Sequence, residues 1–319
     1  MKLQTTIPLE QRSEHLLDYD ARVVLIGSCF VEHIGEKLAY YKFPTFQNPF
    51  GIVFHPKAVE TVVARSFSKI PYTEEAIFQH NGLWHCFDAH SKWSSASKSD
   101  LIHNLNQQVH KTAEHLRNAT HVILTLGTAW AYRHIKTNAL VANCHKVPQK
   151  QFRKELLSIA SIVHSLRYTT DLIKAMNPNT AVIFTVSPVR HIKDGFVENT
   201  RSKAHLIAAI HELLSSQPES KGFYYFPSYE IMLDELRDYR FYKEDLVHPN
   251  TTAITYIWDK FKKVWMEEDT IKTMTAIEDI QKGLAHKPFH PDSEAHEKFL
   301  RKLEQKKMTL LQRYPHLSF

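Results

Sequence analysis

Short apolar runs recur along the chain, separated by longer stretches in which apolar and polar residues alternate at helical spacing. Three of the runs are rich in Val, Ile and Leu and apolar on both faces, which is typical of buried parallel strands. One aromatic run and one mixed run are further strand candidates. The predicted strands are Val23–Ile26, Tyr41–Phe46, Val122–Leu126, Ala181–Val186 and Phe223–Phe226.

Helical patterns fill the intervals between these runs, and several open on Ser, Asn or Pro, as helices commonly do. Strands that alternate with crossover helices predict an α/β fold, a doubly wound parallel sheet of about five strands covered by helices. Ligands bind to such sheets beyond the carboxyl ends of the strands. The predicted helices are Val31–Tyr40, Lys57–Phe67, Leu101–Leu116, Phe152–Met176, Arg201–Leu214 and Thr251–Trp265.

The strand pattern stops near residue 268, and two charged helical segments follow, Thr270–Leu284 and Ser293–Arg313. We therefore predict one large domain over residues 1–268 and a helical extension over residues 269–319. A partial apolar stripe in the second segment favours packing of the extension on the parent domain. The stripe consists of Leu300, Leu303, Met308 and Leu311.

Composition narrows the class of protein. The chain has 319 residues, 43% of them hydrophobic, which is enough for one large core. Its 40 basic and 34 acidic residues give a formal charge of +6 without a dense Lys/Arg block, so no nucleic-acid partner is indicated. The segment Met1–Pro8 lacks the apolar core of a signal peptide, and no stretch approaches ~18 apolar residues. We expect a cytoplasmic protein with no membrane partner.

The three cysteines cannot all pair and are expected to be free thiols in a reducing compartment. Two clusters, Trp84–His90 and Asn143–His145, contain His, Cys or Asp at close spacing, but a zinc site needs three or four converging ligands. The first cluster alternates like a hairpin arm, with Asn81-Gly82 as its turn. We therefore expect neither a structural metal nor a cofactor.

The segment Gly27-Ser28-Cys29-Phe30 follows the first predicted strand and precedes a helix. Ser28 would then sit on a tight turn at a helix N-terminus, where free backbone N–H groups can hold an oxyanion. The same position is also favoured by serines that only cap helices. Ser28 is thus a candidate nucleophile whose chemistry depends on a partner elsewhere in the chain.

Asp245 and His248 provide such a partner, just ahead of the last predicted core helix. A serine hydroxyl is a poor nucleophile until a histidine takes its proton, and the imidazole needs a carboxylate to fix its tautomer. One short loop would supply both groups. In the structural alternative, Asp245 caps a turn and His248 fills a core position.

These motifs together resemble the SGNH/GDSL hydrolases, and Gly27-Ser28-Cys29-Phe30 resembles the signature of their GSCFA family. The resemblance implies a three-layer α/β/α sandwich with a flavodoxin-like sheet. It also implies Ser28 as nucleophile, His248 as general base and Asp245 as its orienter, with the N–H groups of Ser28 and Gly51 as oxyanion donors. Further matching segments are Asn48–Gly51, Leu126–Trp130, Asn143–Lys146, Ser187–His191, Asp234–Tyr242 and Asp245–Pro249.

One departure from the superfamily pattern affects the oxyanion site. SGNH hydrolases usually carry Gly-x-Asn in their third block, whereas this chain has Gly127-Thr128-Ala129-Trp130. Loss of one side-chain donor can cost on the order of 10²–10³ in rate. The candidate replacements are Thr128 beside Gly127, Asn48 and, as our preferred hypothesis, Asn143.

Other residues at the same sheet edge are candidate substrate contacts or rivals. Arg190, which follows a strand directly, ranks first for an anionic or sugar hydroxyl group, ahead of His145 and Lys146. Cys29 is a rival nucleophile, since a helix N-terminus lowers the pKa of a thiol. His191 is an alternative base, ranked below His248.

The sequence therefore predicts a serine esterase, O-acyl hydrolase or acyltransferase that acts through an acyl-serine intermediate. The resemblance favours a small acyl ester of a carbohydrate-like alcohol as substrate. The alternatives are a non-catalytic ligand-binding SGNH-like module and an interaction protein that recruits a partner through its helical tail. Oligomeric state is left open by the sequence.

Overall fold

The computed structural model describes residues 5–216 and 221–319, so the first four residues of the Met1–Pro8 segment lie outside the described residues. Strand and helix alternate along the chain, as the hydrophobic pattern predicts. The strands are β1 (Val23–Gly27), β2 (Thr45–Gln47), β3 (Ile77–His80), β4 (Leu83–Cys86), β5 (His121–Leu126), β6 (Trp130–His134), β7 (Leu140–Val141), β8 (Phe152–Leu156), β9 (Ala181–Val186) and β10 (Phe223–Tyr225).

The main sheet is parallel, with strand order β10-β9-β5-β1-β2. This is the flavodoxin-like order, in which the direction of winding reverses between the first strand and the third. Here the reversal lies between β1 and β5, which pair from Val23 and His121 to Gly27 and Thr125. The switch point therefore lies beside Ser28.

Helices cover both faces of the main sheet. Alternate strand residues supply the two cores: Val24 and Leu124 face one cluster, while Leu25 and Ile123 face the other. Helices α2 to α5 pack on the first face, and α1, α7 and α8 on the second. The α/β/α fold predicted from the sequence is confirmed. The helices are α1 (Cys29–Tyr40), α2 (Pro56–Ser68), α3 (Lys98–Asn118), α4 (Ile159–Met176), α5 (Phe196–Ser216), α6 (Ser228–Glu230), α7 (Thr251–Trp265), α8 (Glu268–Ala285) and α9 (Glu294–Arg313).

Two small antiparallel sheets project from the carboxyl-edge connections. Strands β3 and β4 form the predicted hairpin, and its turn residues Asn81 and Gly82 both have left-handed φ angles, 48° and 77°. Strands β7, β6 and β8 form the second sheet. The prediction of helix from Phe152 onward was wrong, because Phe152–Leu156 pairs with β6 and the helix begins at Ile159.

The tail helices α8 and α9 lie against each other and the domain. Leu303 is buried against Gly283 of α8, and Leu310 and Leu311 pack on the second core cluster. Leu300 and Met308 are exposed, so only part of the predicted stripe packs. Within the described residues, no helix combines the length and apolarity that a membrane crossing requires.

Buried histidines predict a loss of stability in acid. Burial lowers the pKa of His121 to about 4, although Nε2 lies 2.8 Å from the His15 carbonyl. The unfolded chain binds the proton first as pH falls below ~6.5, so stability is lost between pH ~6.5 and ~4, by roughly 3 kcal/mol for this one group. Denaturant unfolding across this pH range should show the fall.

The slope of the free energy of unfolding against pH tests whether His121 contributes to this loss of stability. His121→Gln should make the fall in the free energy of unfolding between neutral pH and pH ~4 shallower, because the variant lacks one of the buried histidines that take up a proton on unfolding. The exposed His164 offers a matched control, and His164→Gln should keep the wild-type slope. Equal slopes for wild type and His121→Gln would contradict the assignment.

Candidate active site

The turn that carries Ser28 depends on Gly27. Gly27 has φ 150°, and a Cβ there would lie 2.1 Å from the Thr125 carbonyl oxygen, so only glycine lets β1 approach β5 this closely. Ser28 is the N-cap of α1 and its Oγ accepts from the Phe30 N–H at 3.3 Å. Its residue surface is 1% exposed. The predicted strand-turn-helix setting of Ser28 is thus present.

Asn48 holds this turn in place. Its Oδ1 accepts from the Gly27 N–H at 2.9 Å, and its Nδ2 donates to Glu32 Oε1 at 3.1 Å. Asn48 is 1% exposed and has φ 41°. The amide oxygen and one N–H of Nδ2 are therefore engaged, which places Asn48 in the support of the turn that carries Ser28.

The two backbone amides expected to bind an oxyanion are also occupied. The Ser28 N–H donates to the Thr125 carbonyl at 3.0 Å, and the Gly51 N–H donates to the Asn48 carbonyl at 2.8 Å. Neither is free in this structure. The Gly127 N–H likewise donates to the Phe54 carbonyl at 2.7 Å. A donor for an oxyanion must therefore be sought among side chains and the first turn of α1.

Asp245 and His248 form a tight pair. Asp245 Oδ2 lies 2.7 Å from His248 Nδ1, and Oδ1 accepts from the N–H groups of Val247 and His248, both at 2.9 Å. These backbone bonds, followed by the His248 side chain, lower the pKa of Asp245 to about 2. The carboxylate is therefore ionised at neutral pH and fixes a proton on Nδ1, which leaves Nε2 as an acceptor.

The loop that carries this pair is tied to the end of β9. The Arg190 N–H donates to the Val247 carbonyl at 3.2 Å, and the Lys243 N–H to the His248 carbonyl at 2.8 Å. The side chains of Asp245 and His248 are 48% and 39% exposed. Ser28 and the pair thus lie at the same edge of the sheet.

The Ser28 hydroxyl does not contact His248 directly. Across the described residues, the hydrogen bond to Ser28 Oγ comes from Phe30 and no bond joins Oγ to the His248 ring. Catalytic hydrogen bonds are often long in unliganded enzymes and tighten when substrate binds. The structure therefore brings the three residues to one edge without assembling a closed chain of hydrogen bonds.

Three other predicted contacts make hydrogen bonds within the fold. Thr128 Oγ1 lies 2.8 Å from Ser202 Oγ on α5 and accepts from the Trp130 N–H. Asn143 Oδ1 accepts from the His145 N–H at 2.8 Å and so supports its own turn, but this bond does not use the Nδ2 group that an oxyanion role requires. His145 Nε2 lies 2.7 Å from the Cys86 carbonyl in the hairpin, and burial lowers its pKa to about 4. These bonds are structural.

Arg190 borders a cavity of about 280 Å³ beside the loop of Asp245. Its guanidinium lies 5.9 Å from the centre of the Tyr242 ring. Tyr239 and Leu246 also line this cavity, whereas Ser28 does not. Of the predicted substrate contacts, Arg190 thus borders an open cavity. This cavity adjoins the loop that carries Asp245 and His248.

The rival residues differ in their environments. Burial, followed by the charge of Glu32, raises the pKa of the Cys29 thiol, which disfavours the thiolate. His191 lies close to Ser28, because its Nε2 is 3.1 Å and the Ser28 Cβ 3.4 Å from the point where a Cβ on Gly127 would lie. Asp194 forms an ion pair with Lys154, and no carboxylate hydrogen bond to His191 is formed by the described residues.

Lys203 is a buried cation that the sequence reasoning missed. Its Nζ donates to the carbonyls of Gly127 at 2.7 Å and Ser187 at 2.6 Å, which joins the ends of β5 and β9. Burial lowers its pKa to about 7. Lys203 lies at helical spacing from Leu206 and Ile210, on the apolar face of α5. This spacing is the sequence pattern that could have predicted its burial.

Metal ligation has no support in the geometry of the described residues, among which no group of three His, Cys, Asp or Glu side chains converges. His85 lies beside His145, with ring centroids 4.7 Å apart, but both rings bond hairpin carbonyls. These histidines therefore stabilise the hairpin.

The fold and this site define an α/β/α protein with a buried N-cap serine at the switch point and an Asp–His pair at the same edge. The chain belongs to the GSCFA family: the model of that family matches residues 22–261, and the model described as GSCFA domain protein, C-terminal domain, matches residues 277–319. The predicted family is confirmed.

Comparison with solved structures gives distant likenesses. One is titled as a carbohydrate esterase family 3 from Talaromyces cellulolyticus, with 10% identity, a TM-score of 0.37, and coverage of 81% of this chain and 99% of that one. Another is titled as a mutant acetyl esterase with acetate ion, with 10% identity, a TM-score of 0.37, and coverage of 82% and 99%. No curated protein matches the chain.

Proposed function

We propose that the protein is a serine esterase that acts through an acyl-Ser28 intermediate. The observation that carries this proposal is the Asp245–His248 bond of 2.7 Å at the sheet edge where Ser28 caps α1. An ionised carboxylate that fixes the proton on Nδ1 prepares the opposite imidazole nitrogen to accept a proton, which a purely structural turn does not require.

In the proposed first step, Ser28 Oγ attacks the ester carbonyl carbon while its proton passes to His248 Nε2. The carbonyl oxygen becomes an oxyanion in a tetrahedral intermediate. The intermediate collapses when the bond to the alcohol oxygen breaks, and the alcohol leaves with the proton from His248. This requires the Ser28 hydroxyl to turn from the Phe30 N–H towards the imidazole.

In the second step, a water molecule attacks the acyl-serine ester and gives one proton to His248. Collapse of this second intermediate returns that proton to Ser28 Oγ and releases the carboxylic acid. An alcohol that replaces the water would receive the acyl group instead, so the same residues support acyl transfer. The Asp245 carboxylate stabilises the imidazolium in both steps.

A small substrate is favoured by the size of the neighbouring cavity. Its volume of about 280 Å³ is at the lower end of the range for ligand sites, which is roughly 300–1,000 Å³. Tyr239, Tyr242 and Arg190 present aromatic surface and hydrogen-bond donors, which suit the hydroxyl groups and ring of a carbohydrate-like alcohol. We propose that the alcohol part binds here and that the acyl part lies against Ser28.

Covalent labelling tests the proposed nucleophile directly. A fluorophosphonate should react with the wild-type protein when Ser28 Oγ forms a bond to phosphorus and fluoride leaves. Mass spectrometry of the digested protein should place the label on the peptide that contains Ser28. We expect Ser28→Ala to abolish labelling and Cys29→Ala to preserve it.

Two outcomes would count against the proposal. A label on Cys29 would make the thiol the nucleophile. Absence of label from a folded wild-type protein would favour the non-catalytic binding module, in which the Asp245–His248 pair only stabilises a loop.

A further inference from the structure

The imidazole of His191 is a buried polar group without a partner. Its Nε2 has no hydrogen bond among the described residues and is shielded from solvent. A buried N–H or acceptor left unpaired costs roughly 1–3 kcal/mol, so such groups are rare and call for an explanation. Other buried side-chain atoms, such as Ser165 Oγ and Trp258 Nε1, also lack a partner, so it is the position of His191 Nε2 near Ser28 that points to a ligand.

The main chain and the ring of His191 are each held by a contact. The His191 backbone N–H donates to Asn199 Oδ1 at 2.9 Å, and Asn199 is itself buried on α5. The imidazole stacks on Phe54, with ring centroids 5.7 Å apart and planes 29° from parallel. A site that stabilises charge during a reaction needs donors fixed beforehand, and these contacts fix this one.

Gly127 leaves the space that this imidazole faces. A Cβ at residue 127 would lie 2.9 Å from Phe54 Cβ, 3.1 Å from His191 Nε2 and 3.4 Å from Ser28 Cβ. The imidazole of His191 and the side chain of Ser28 therefore both lie against the bare backbone of Gly127. This places His191 Nε2 near the region that an ester under attack by Ser28 would enter.

Two of the side-chain candidates named in the sequence analysis make hydrogen bonds within the fold. Asn48 is bonded to Gly27 and Glu32, and Thr128 is bonded to Ser202 and Trp130. The third-block Asn of related hydrolases is absent from this chain. Near Ser28, the imidazole of His191 has a buried nitrogen that makes no hydrogen bond to the described residues.

The charge state of His191 agrees with a donor role. Burial, followed by the positive charges of Lys203 and His248, lowers its pKa to about 3. At neutral pH it is a neutral imidazole, which can donate from one nitrogen without giving up its proton. It is also a weak base at that pH, so it is poorly suited to take the proton of Ser28.

We propose that His191 supplies the missing oxyanion donor, and that its Nε2–H binds the oxygen that becomes negative when Ser28 attacks an ester. This inference rests on the proposed function. In SGNH hydrolases the oxyanion donor is the Asn of the third-block Gly-x-Asn segment. Here the segment after β9 would supply the donor instead. The proton stays on His191 throughout, and the imidazole is a hydrogen-bond donor to the intermediate only.

Two substitutions separate a donor from a base. His191→Phe keeps a ring that can stack on Phe54 but removes the donor, so kcat for p-nitrophenyl acetate should fall on the order of 10²–10³ with KM little changed. His191→Gln places an amide N–H near the position of Nε2 and should recover kcat to within about tenfold of wild type. His164→Phe on the exposed face of α4 is the matched control and should retain wild-type kcat.

The outcomes decide between the claims. A His191→Phe variant with wild-type kcat would overturn the donor role of His191. The proposed function would still stand if the wild-type protein hydrolyses esters and is labelled at Ser28. A folded His191→Gln variant as slow as His191→Phe would also overturn it, because a donor should be replaced by an amide. If His191→Phe does not fold, His191→Leu takes its place in the comparison. A wild-type protein that neither turns over esters nor is labelled overturns the proposed function, and this inference with it.

Discussion

Ser28→Ala is expected to lower kcat for small aryl esters on the order of 10⁵–10⁶, because the variant lacks the hydroxyl that forms the proposed acyl-enzyme. The fold should survive this change. The hydroxyl makes one long cap bond, from the Phe30 N–H at 3.3 Å, and loss of an N-cap serine costs about 1 kcal/mol. Steady-state kinetics and thermal unfolding of the same samples would separate the two effects.

Cys29→Ala is the matched control for that substitution. It changes the neighbouring residue in the same turn, and its thiol has a pKa raised by burial. Turnover close to wild type in Cys29→Ala, with turnover lost in Ser28→Ala, would assign the reaction to the hydroxyl. Loss of activity in Cys29→Ala with retention in Ser28→Ala would reverse the assignment.

The main sheet could be predicted from the sequence because its strands are buried on both faces. Every residue of β5 and β9 is buried, and such runs have few alternatives to a parallel strand in a chain of alternating helices. Phe152–Leu156 was harder to predict. It lies on the edge of a small sheet, only Phe152 of its five residues is buried, and it leads directly into the pattern of α4.

The settings of Ser28 and of the Asp245–His248 pair were predictable for a different reason. Ser28 follows β1 directly, and Asp245 and His248 lie within one loop, so local sequence determines much of their setting. Their partners depend on contacts distant in the sequence. The Ser28 N–H is bonded to Thr125, 97 residues away, and this bond could not be read from the turn itself.

His191 and Lys203 show the same limit more strongly. The sequence placed His191 at the correct edge, but its closeness to Ser28 depends on the packing of Phe54 and the bare backbone of Gly127. Lys203 lies among polar and apolar residues of an ordinary helical pattern. Its burial follows from two carbonyls, at Gly127 and Ser187, that only the folded sheet brings together.

Asp245→Asn is expected to lower kcat on the order of 10³–10⁴ while the loop keeps its shape. In the wild-type protein, Asp245 Oδ1 accepts from the N–H groups of Val247 and His248 at 2.9 Å. The amide oxygen of Asn can accept the same two bonds. The amide nitrogen would then face His248 Nδ1 at the position of Oδ2. Because that nitrogen donates, it requires an acceptor at Nδ1 and moves the imidazole proton to Nε2.

A proton on Nε2 prevents His248 from accepting the proton of Ser28, so the defect should appear in kcat and in the rate of fluorophosphonate labelling together. Glu244→Gln removes the adjacent exposed carboxylate and provides the matched control, with kcat close to wild type expected. Asp245→Asn with more than about a tenth of wild-type kcat would show that the 2.7 Å pair orients a loop and does not set the tautomer of the base. The tautomer is therefore the property that distinguishes a catalytic Asp245–His248 pair from a structural one.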